Sequence, residues 1–279
     1  MNILTINNHL NTLWWRYLCI WRLAGVVTRR FRLAGIAVAT VLTVAAPLAH
    51  SQELLISAAA SLTNAFKDIG AEFERTRPGT KVNFNFAASD ILLKQIIEGA
   101  PADVFASADQ KAMDSAVQQN AIVQTTRSNF AANRLVLAIP ADSKLTLTSL
   151  EDMKQPGVKS IAISQPATVP VGRYARAALD QAKLWTALEG KFIYTQNVRQ
   201  SLDYVARGEV DAAFVYTTDA AILKDKVKVA FEIPTATPVT YPIAMVKASK
   251  KSKLSGEFIA LVKSETGQKI LQQYGFAKP

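Results

Sequence analysis

The stretch 53–66, ELLISAAASLTNAF, joins a short apolar strand to an amphipathic helix through a run of alanines, and it constrains the fold more than any other part of the chain. Glu53–Ser57 has the clustered apolar pattern of a strand. Ala58, Ala59 and Ala60 add almost no bulk. Ser61 then stands at an N-cap position before Leu62, Ala65, Phe66 and Ile69, which share one helical face. A helix entered this way leaves its first N–H groups open to whatever lies in front of it. Those groups and the helix macrodipole form an anion seat, to which Ser61 adds a hydroxyl. On this stretch alone, a serine that merely caps its own helix is the simpler reading.

Residues 1–51 differ from the rest. They hold Arg16, Arg22, Arg29, Arg30 and Arg32, no acidic residue, and an apolar run from Leu33 to Ala46 before Pro47-Leu48-Ala49-His50-Ser51. A basic region, a short apolar core and a small-residue cleavage site describe a secretory signal peptide, expected here over 1–51 and removed on export to the periplasm. The apolar run is shorter than the roughly 20 residues a membrane span needs. Cleavage would remove Cys19 and both histidines, His9 and His50, leaving no thiol and no imidazole. It would also lower the formal charge: 27 basic residues remain of 32, against 22 acidic, so +10 becomes +5. That balance gives no reason to expect nucleic acid as a partner.

Beyond the leader, short apolar strands alternate with amphipathic helices, which predicts an α/β protein with largely parallel sheets. Strands are expected at 81–86, 103–106, 134–139, 160–164, 192–194, 212–216, 227–231 and 243–246. Helices are expected after Ser89, at 109–119, 172–183 and 198–207 behind Asn197, and at 255–263 and 266–274. Two αβ series joined at an apolar strand, with a return strand near the end, predict two lobes crossed twice: 52–130 with 242–279, and 131–241. The cleft between such lobes is a standard ligand site.

Little in the sequence supports catalysis. Without His or Cys there is no imidazole base, no thiolate and no nitrogen- or sulfur-rich metal site, so no enzyme, cofactor or directly ligated metal is expected. Asp103, Asp203, Asp211 and Asp219 read most simply as turn, cap or surface carboxylates. What recurs is a small or hydroxyl residue where a strand meets a helix: Ser61, Ala88-Ser89, Val169-Pro170-Val171-Gly172 and Asn197-Val198. Tyr216, at the carboxyl end of a buried strand, adds a phenolic donor. Ligands in open α/β sheets bind at the carboxyl ends of strands, so these four junctions and Tyr216 are expected to face one cleft.

The segments AAASLTNAF, FAASDILLKQI, GAPADVFASADQKAMD, PATVPVGRYA, NVRQSLDYVARGEVDAAFVYTTDA and QKILQQYGF together resemble the periplasmic molybdate-binding proteins of ABC importers. The likeness runs from about Glu53 to Phe276, and GAPADVF with SADQ is its most specific block. It implies a type II periplasmic binding protein fold, two lobes closing on a tetrahedral oxyanion, and delivery of molybdate or tungstate to a membrane permease and ATPase. A monomer is expected. Carried over by motif, the ligand contacts fall on Ser61 and Ser89 (hydroxyl and amide), the Val171 and Val198 amides, and the Tyr216 hydroxyl. Molybdenum would be held only as its oxyanion. Neutral dipoles would replace the anion's hydration shell, and a cavity sized for the longer metal–oxygen bonds would leave sulfate under-coordinated.

One position departs from the family pattern. Where a small or hydroxyl residue more often follows the second serine, this chain has Asp90, expected to face outward in the first turn of its helix. Turned inward it would repel a dianion and suit hydrogen phosphate. The alternatives are therefore a binder of sulfate, thiosulfate or phosphate, and, from a different class, a carboxylate-based extracytoplasmic hydrolase.

Overall fold

The computed structural model describes residues 52–279; the expected leader over 1–51 lies outside them. The first half runs β1 (Gln52–Ala59), a single 3₁₀ turn (Ala60–Leu62), α1 (Thr63–Thr76), β2 (Thr80–Ala87), α2 (Ser89–Ile97), β3 (Val104–Ala106), α3 (Gln110–Gln118) and β4 (Ser128–Asn133). The second runs β5 (Leu135–Pro140), β6 (Ile161–Ser164), α4 (Pro170–Gln181), α5 (Trp185–Leu188), β7 (Phe192–Thr195), α6 (Val198–Ala206), β8 (Ala212–Tyr216), α7 (Thr217–Ile222) and β9 (Val227–Ile233). The chain then returns through β10 (Val239–Met245) to α8 (Ser252–Lys263) and α9 (Glu265–Gln273).

These strands form two five-stranded sheets, ordered β2-β1-β3-β10-β4 and β7-β6-β8-β5-β9. In the first, β1 pairs in parallel with β2 and β3, while β10 runs antiparallel to both β3 and β4. The second repeats the pattern: β6 is parallel to β7 and β8, and β5 is antiparallel to β8 and β9. One strand in each sheet therefore opposes the other four, which keeps the sheets mostly parallel, as the alternating pattern predicted. Such a sheet must be covered on both faces, and the strands read accordingly: β3, β5, β6 and β8 are almost wholly buried.

The chain passes between the sheets twice, at Arg134 and through residues 234–238. Both β4 and β10, which the expected boundaries at 130/131 and 241/242 cut, belong entirely to the first sheet. The C-terminal helices return to the first sheet as expected, where Phe258 of α8 packs edge-on against Phe66 and Phe73 of α1. β4 was not anticipated, because SNFAAN is short, ends in asparagines and shows no clean alternation. The last strand was expected at 243–246. Instead β10 starts at Val239 and carries Pro242 at a register shift next to Tyr241, the setting in which a sheet tolerates proline.

Candidate functional site

Each strand-to-helix junction singled out in the sequence ends at the same place. Ser61, Ser89, Val171, Val198 and Tyr216 all line one pocket, with Ala59, Ala60, Ala87, Ala88, Ala108, Val169, Pro170 and Asn197 completing the wall. Its empty space is at most about 220 Å³, below the roughly 300–1,000 Å³ of pockets for organic ligands. No lining residue carries a charge. This is a seat for something small.

The amides facing it follow from how the helices begin. α2 starts at Ser89 behind Ala88, and α4 at Pro170 behind Val169; neither cap residue supplies a side-chain acceptor. Their first-turn N–H groups are therefore unclaimed by the protein's own caps. α6 differs, because Asn197 caps it and accepts from Arg199 N (3.0 Å) and Gln200 N (3.1 Å). The cap leaves out one first-turn amide, that of Val198. Gly172 lets α4 come this close: a Cβ there would lie 2.0 Å from the Ser164 carbonyl oxygen.

The hydroxyls are arranged as donors. Ser61 does not cap α1 as expected; it sits within the 3₁₀ turn and makes no cap hydrogen bond. Its Oγ instead meets Tyr241 Oη at 3.0 Å, and Asn133 Nδ2 donates to the same Tyr241 oxygen at 3.2 Å. Either hydroxyl can donate in that pair; with Tyr241 donating to Ser61 Oγ, the serine's own proton is left for the pocket. Ser89 is the first helical residue, not the cap, and its Oγ accepts from Ala108 N at 3.1 Å, which likewise frees its proton. Tyr216 Oη is buried and has no hydrogen-bond partner among the described residues. Burial holds this phenol well above its ordinary pKa, so it stays a donor. A buried polar atom left alone is costly and calls for a ligand.

Charged groups stand just behind this wall. Asp90 does not face outward. It turns sideways to Arg173 of α4, whose Nη2 donates to Asp90 Oδ2 at 2.6 Å, and the same guanidinium reaches Asp109 Oδ2. The reason is across the cleft: Arg173 belongs to the second sheet's helices and has two first-sheet carboxylates within reach. Desolvation raises the Asp90 pKa, against the lowering effect of Arg173. On the other flank Arg199 donates to the Ser61 carbonyl (3.0 Å) and Asn64 Oδ1 (2.9 Å), and its Nε lies 2.7 Å from Asp219 Oδ1. Asp219 is fully buried, accepts from Tyr216 N, and has its pKa raised chiefly by that burial.

Sequence reasoning missed Tyr241, Asn133, Arg173 and Arg199. Asp219, the partner of Arg199, left a trace, since a carboxylate three residues past Tyr216 is a first-turn capping signature. Tyr241 and Asn133 left none: their link to Ser61 spans most of the chain.

Two lobes with mostly parallel sheets and a donor-lined cleft at the strand ends define a solute-binding protein of the periplasmic type II class. The bacterial extracellular solute-binding protein model matches residues 54–277, and the chain belongs to that family. Among its relatives are the molybdate-binding proteins ModA of Escherichia coli, 36% identical over 82% of this chain and 90% of its own length, and of Haemophilus influenzae, 33% identical over 82% and 91%. A solved substrate-binding domain from Clostridium difficile, provisionally assigned to a molybdenum ABC transporter, is 36% identical with a TM-score of 0.63 over 82% of this chain and all of its own. The sulfate-binding protein SubI of Mycobacterium tuberculosis aligns at a TM-score of 0.71 over 81% of this chain and 87% of its own, but at 15% identity it shares the fold alone. These relatives bind solutes and are not enzymes.

Proposed function

We propose that this chain captures molybdate, and tungstate with it, and delivers the ion to the permease and ATPase of an ABC importer. It would do so as a periplasmic monomer after loss of its leader. The observation that carries the reading is the pocket itself: a small chamber lined by uncharged residues, Ser61, Ser89, Val171, Val198 and Tyr216 among them, with the Tyr216 hydroxyl buried and unpartnered among the described residues. In this reading the three hydroxyls and the Val171 and Val198 amides donate to the ion. Charge-assisted hydrogen bonds from fixed dipoles can replace the hydration shell of a dianion without a buried counter-charge.

The side chains around the pocket offer protons and no free acceptor. Hydrogen phosphate carries a proton that must be accepted, and Asp90, the group suited to the task, is taken by Arg173. Sulfate is excluded on size, because its shorter bonds leave some of the fixed donors unmet. The identity of the relatives points the same way. In this reading the lobe boundaries expected at 130/131 and 241/242 move to the crossings at Arg134 and residues 234–238, which keeps β4 and β10 whole in the first lobe.

Calorimetry with molybdate, tungstate, sulfate and phosphate tests the proposal. Molybdate and tungstate are expected to bind at submicromolar concentration, with no measurable heat from sulfate or phosphate. Tight phosphate or sulfate binding without molybdate heat would refute it.

A further inference from the structure

Asp90 directly follows the pocket-lining Ser89, and among the described residues its one hydrogen-bond partner is Arg173, on the opposite lobe. We propose that Arg173 is a latch that holds the two lobes shut over the pocket, its guanidinium closing across the cleft onto Asp90 and Asp109. The latch rests on the oxyanion-binding reading for its purpose, and on the geometry alone for its existence.

Arg173 stands two residues beyond Val171 in the first turn of α4, and Asp90 directly follows Ser89 in the first turn of α2. The ion pair therefore ties together the two helix starts that present amides to the pocket. Asp109 is the fixed end. It caps α3, with Oδ1 accepting from Ala112 N at 3.1 Å, and its Oδ2 takes a 2.8 Å hydrogen bond from Arg173 Nε. Asp90 is the movable end: among the described residues its carboxylate takes a hydrogen bond from Arg173 alone. The cluster is largely withdrawn from water, with side chains 15% exposed for Arg173, 6% for Asp109 and 24% for Asp90. None of the three lines the pocket, so the latch acts on closure and not on the ion itself.

Opening the lobes would leave two carboxylates close together on one lobe and a lone guanidinium on the other. Breaking a desolvated, hydrogen-bonded charge pair acts mainly on dissociation, whereas a rim charge that merely attracts an anion acts on association. The two roles are thus separable. A steering arginine would sit unpaired facing the cleft, but this one is spent on two carboxylates.

The mature protein, loaded with sodium molybdate and then diluted, is followed by elemental analysis of protein-bound molybdenum. Arg173→Met and Asp90→Ser are each expected to release the ion roughly ten- to a hundredfold faster, with association little changed. The double variant should release no faster than the faster single one, because both remove the same contact. Release at the wild-type rate, an effect confined to association, or multiplying effects in the double variant would each overturn the latch. Spin labels at Glu98→Cys and Gln181→Cys, both exposed, measure the interlobe distance with and without molybdate. Arg173→Met should lower the closed population, and unchanged distances would overturn the proposal. A wild type that takes up no molybdate refutes the choice of ion, and the ligand-free distances then judge the latch.

Discussion

A single oxygen atom shows how this pocket is built. Tyr216 Oη is buried and unpartnered, yet the ring around it is held firmly, 6.0 Å from that of Tyr241. Tyr216→Phe keeps the ring and removes the donor, so it should weaken molybdate binding by about 1.5–3 kcal/mol, the range for a hydrogen bond to a charged group. Calorimetry should read this as roughly one to two decades in Kd. Protein stability without ligand should hold or rise, since an orphaned polar atom is removed. Ser61→Ala is expected to behave differently. It loses the bond to Tyr241, about 0.5–1.5 kcal/mol of ligand-free stability, and a ligand donor as well. Thermal melts and calorimetry together separate the two losses. Helix α1 itself should be unaffected, because Ser61 does not cap it.

Elements carry the pocket by their starting points. α4 can begin beside the pocket only because Gly172 has no Cβ to strike the Ser164 carbonyl. Gly172→Ala should therefore push the first turn of α4 outward, costing about 1–3 kcal/mol of stability by overpacking and weakening binding through the displaced Val171 amide. A melt and a titration of this variant check both effects. Elsewhere in the second lobe, Asp152 closes the turn at Glu151–Lys154 by accepting from Thr148 N and Ser149 N. The Thr148 hydrogen bonds lead in lowering its pKa from 3.8 to about 2. A carboxylate depressed in the folded state adds stability that is complete above its unfolded value and is lost as pH falls through the folded one. The contribution should fade between about pH 4 and pH 2, and Asp152→Asn should flatten that part of the stability–pH curve.

Elements were legible in the sequence where local pattern decides them. The Asn197 cap and the strand 212–216 stand where the sequence places them. β4, α5 and α7 were not legible, because each is short and takes its form from the surfaces it packs against. For the site, all five residues that line the pocket could be read from the ends of strands and the starts of helices, since these are local features. Their supports could not. Arg173 meets Asp90 across 83 residues, and Ser61 meets Tyr241 across 180. Asp90 shows the limit most plainly: cap geometry predicts an outward carboxylate, and a partner on the other lobe turns it aside.

At the scale of the whole molecule, two similar sheets hold a chamber that neither completes alone. Ser61 and Ser89 come with the first sheet; Val171, Val198 and Tyr216 come with the second. An anion fitting between them is gripped only when the lobes meet, which makes closure a consequence of binding. The charges that tie the lobes together, Arg173 with Asp90 and Asp109, and Arg199 with the Ser61 carbonyl, lie outside the chamber. In the proposed account grip and closure fall to different residues, the first to neutral dipoles and the second to the two arginines.

That division stands or falls with where the ion sits. Crystals of the mature protein grown with molybdate, measured at the molybdenum absorption edge, locate the metal directly. One anomalous peak is expected, enclosed by the Ser61, Ser89 and Tyr216 hydroxyls and the Val171 and Val198 amides, with no charged side chain in contact. A peak bound to Arg173 or Arg199, or no peak in the chamber at all, would contradict the account.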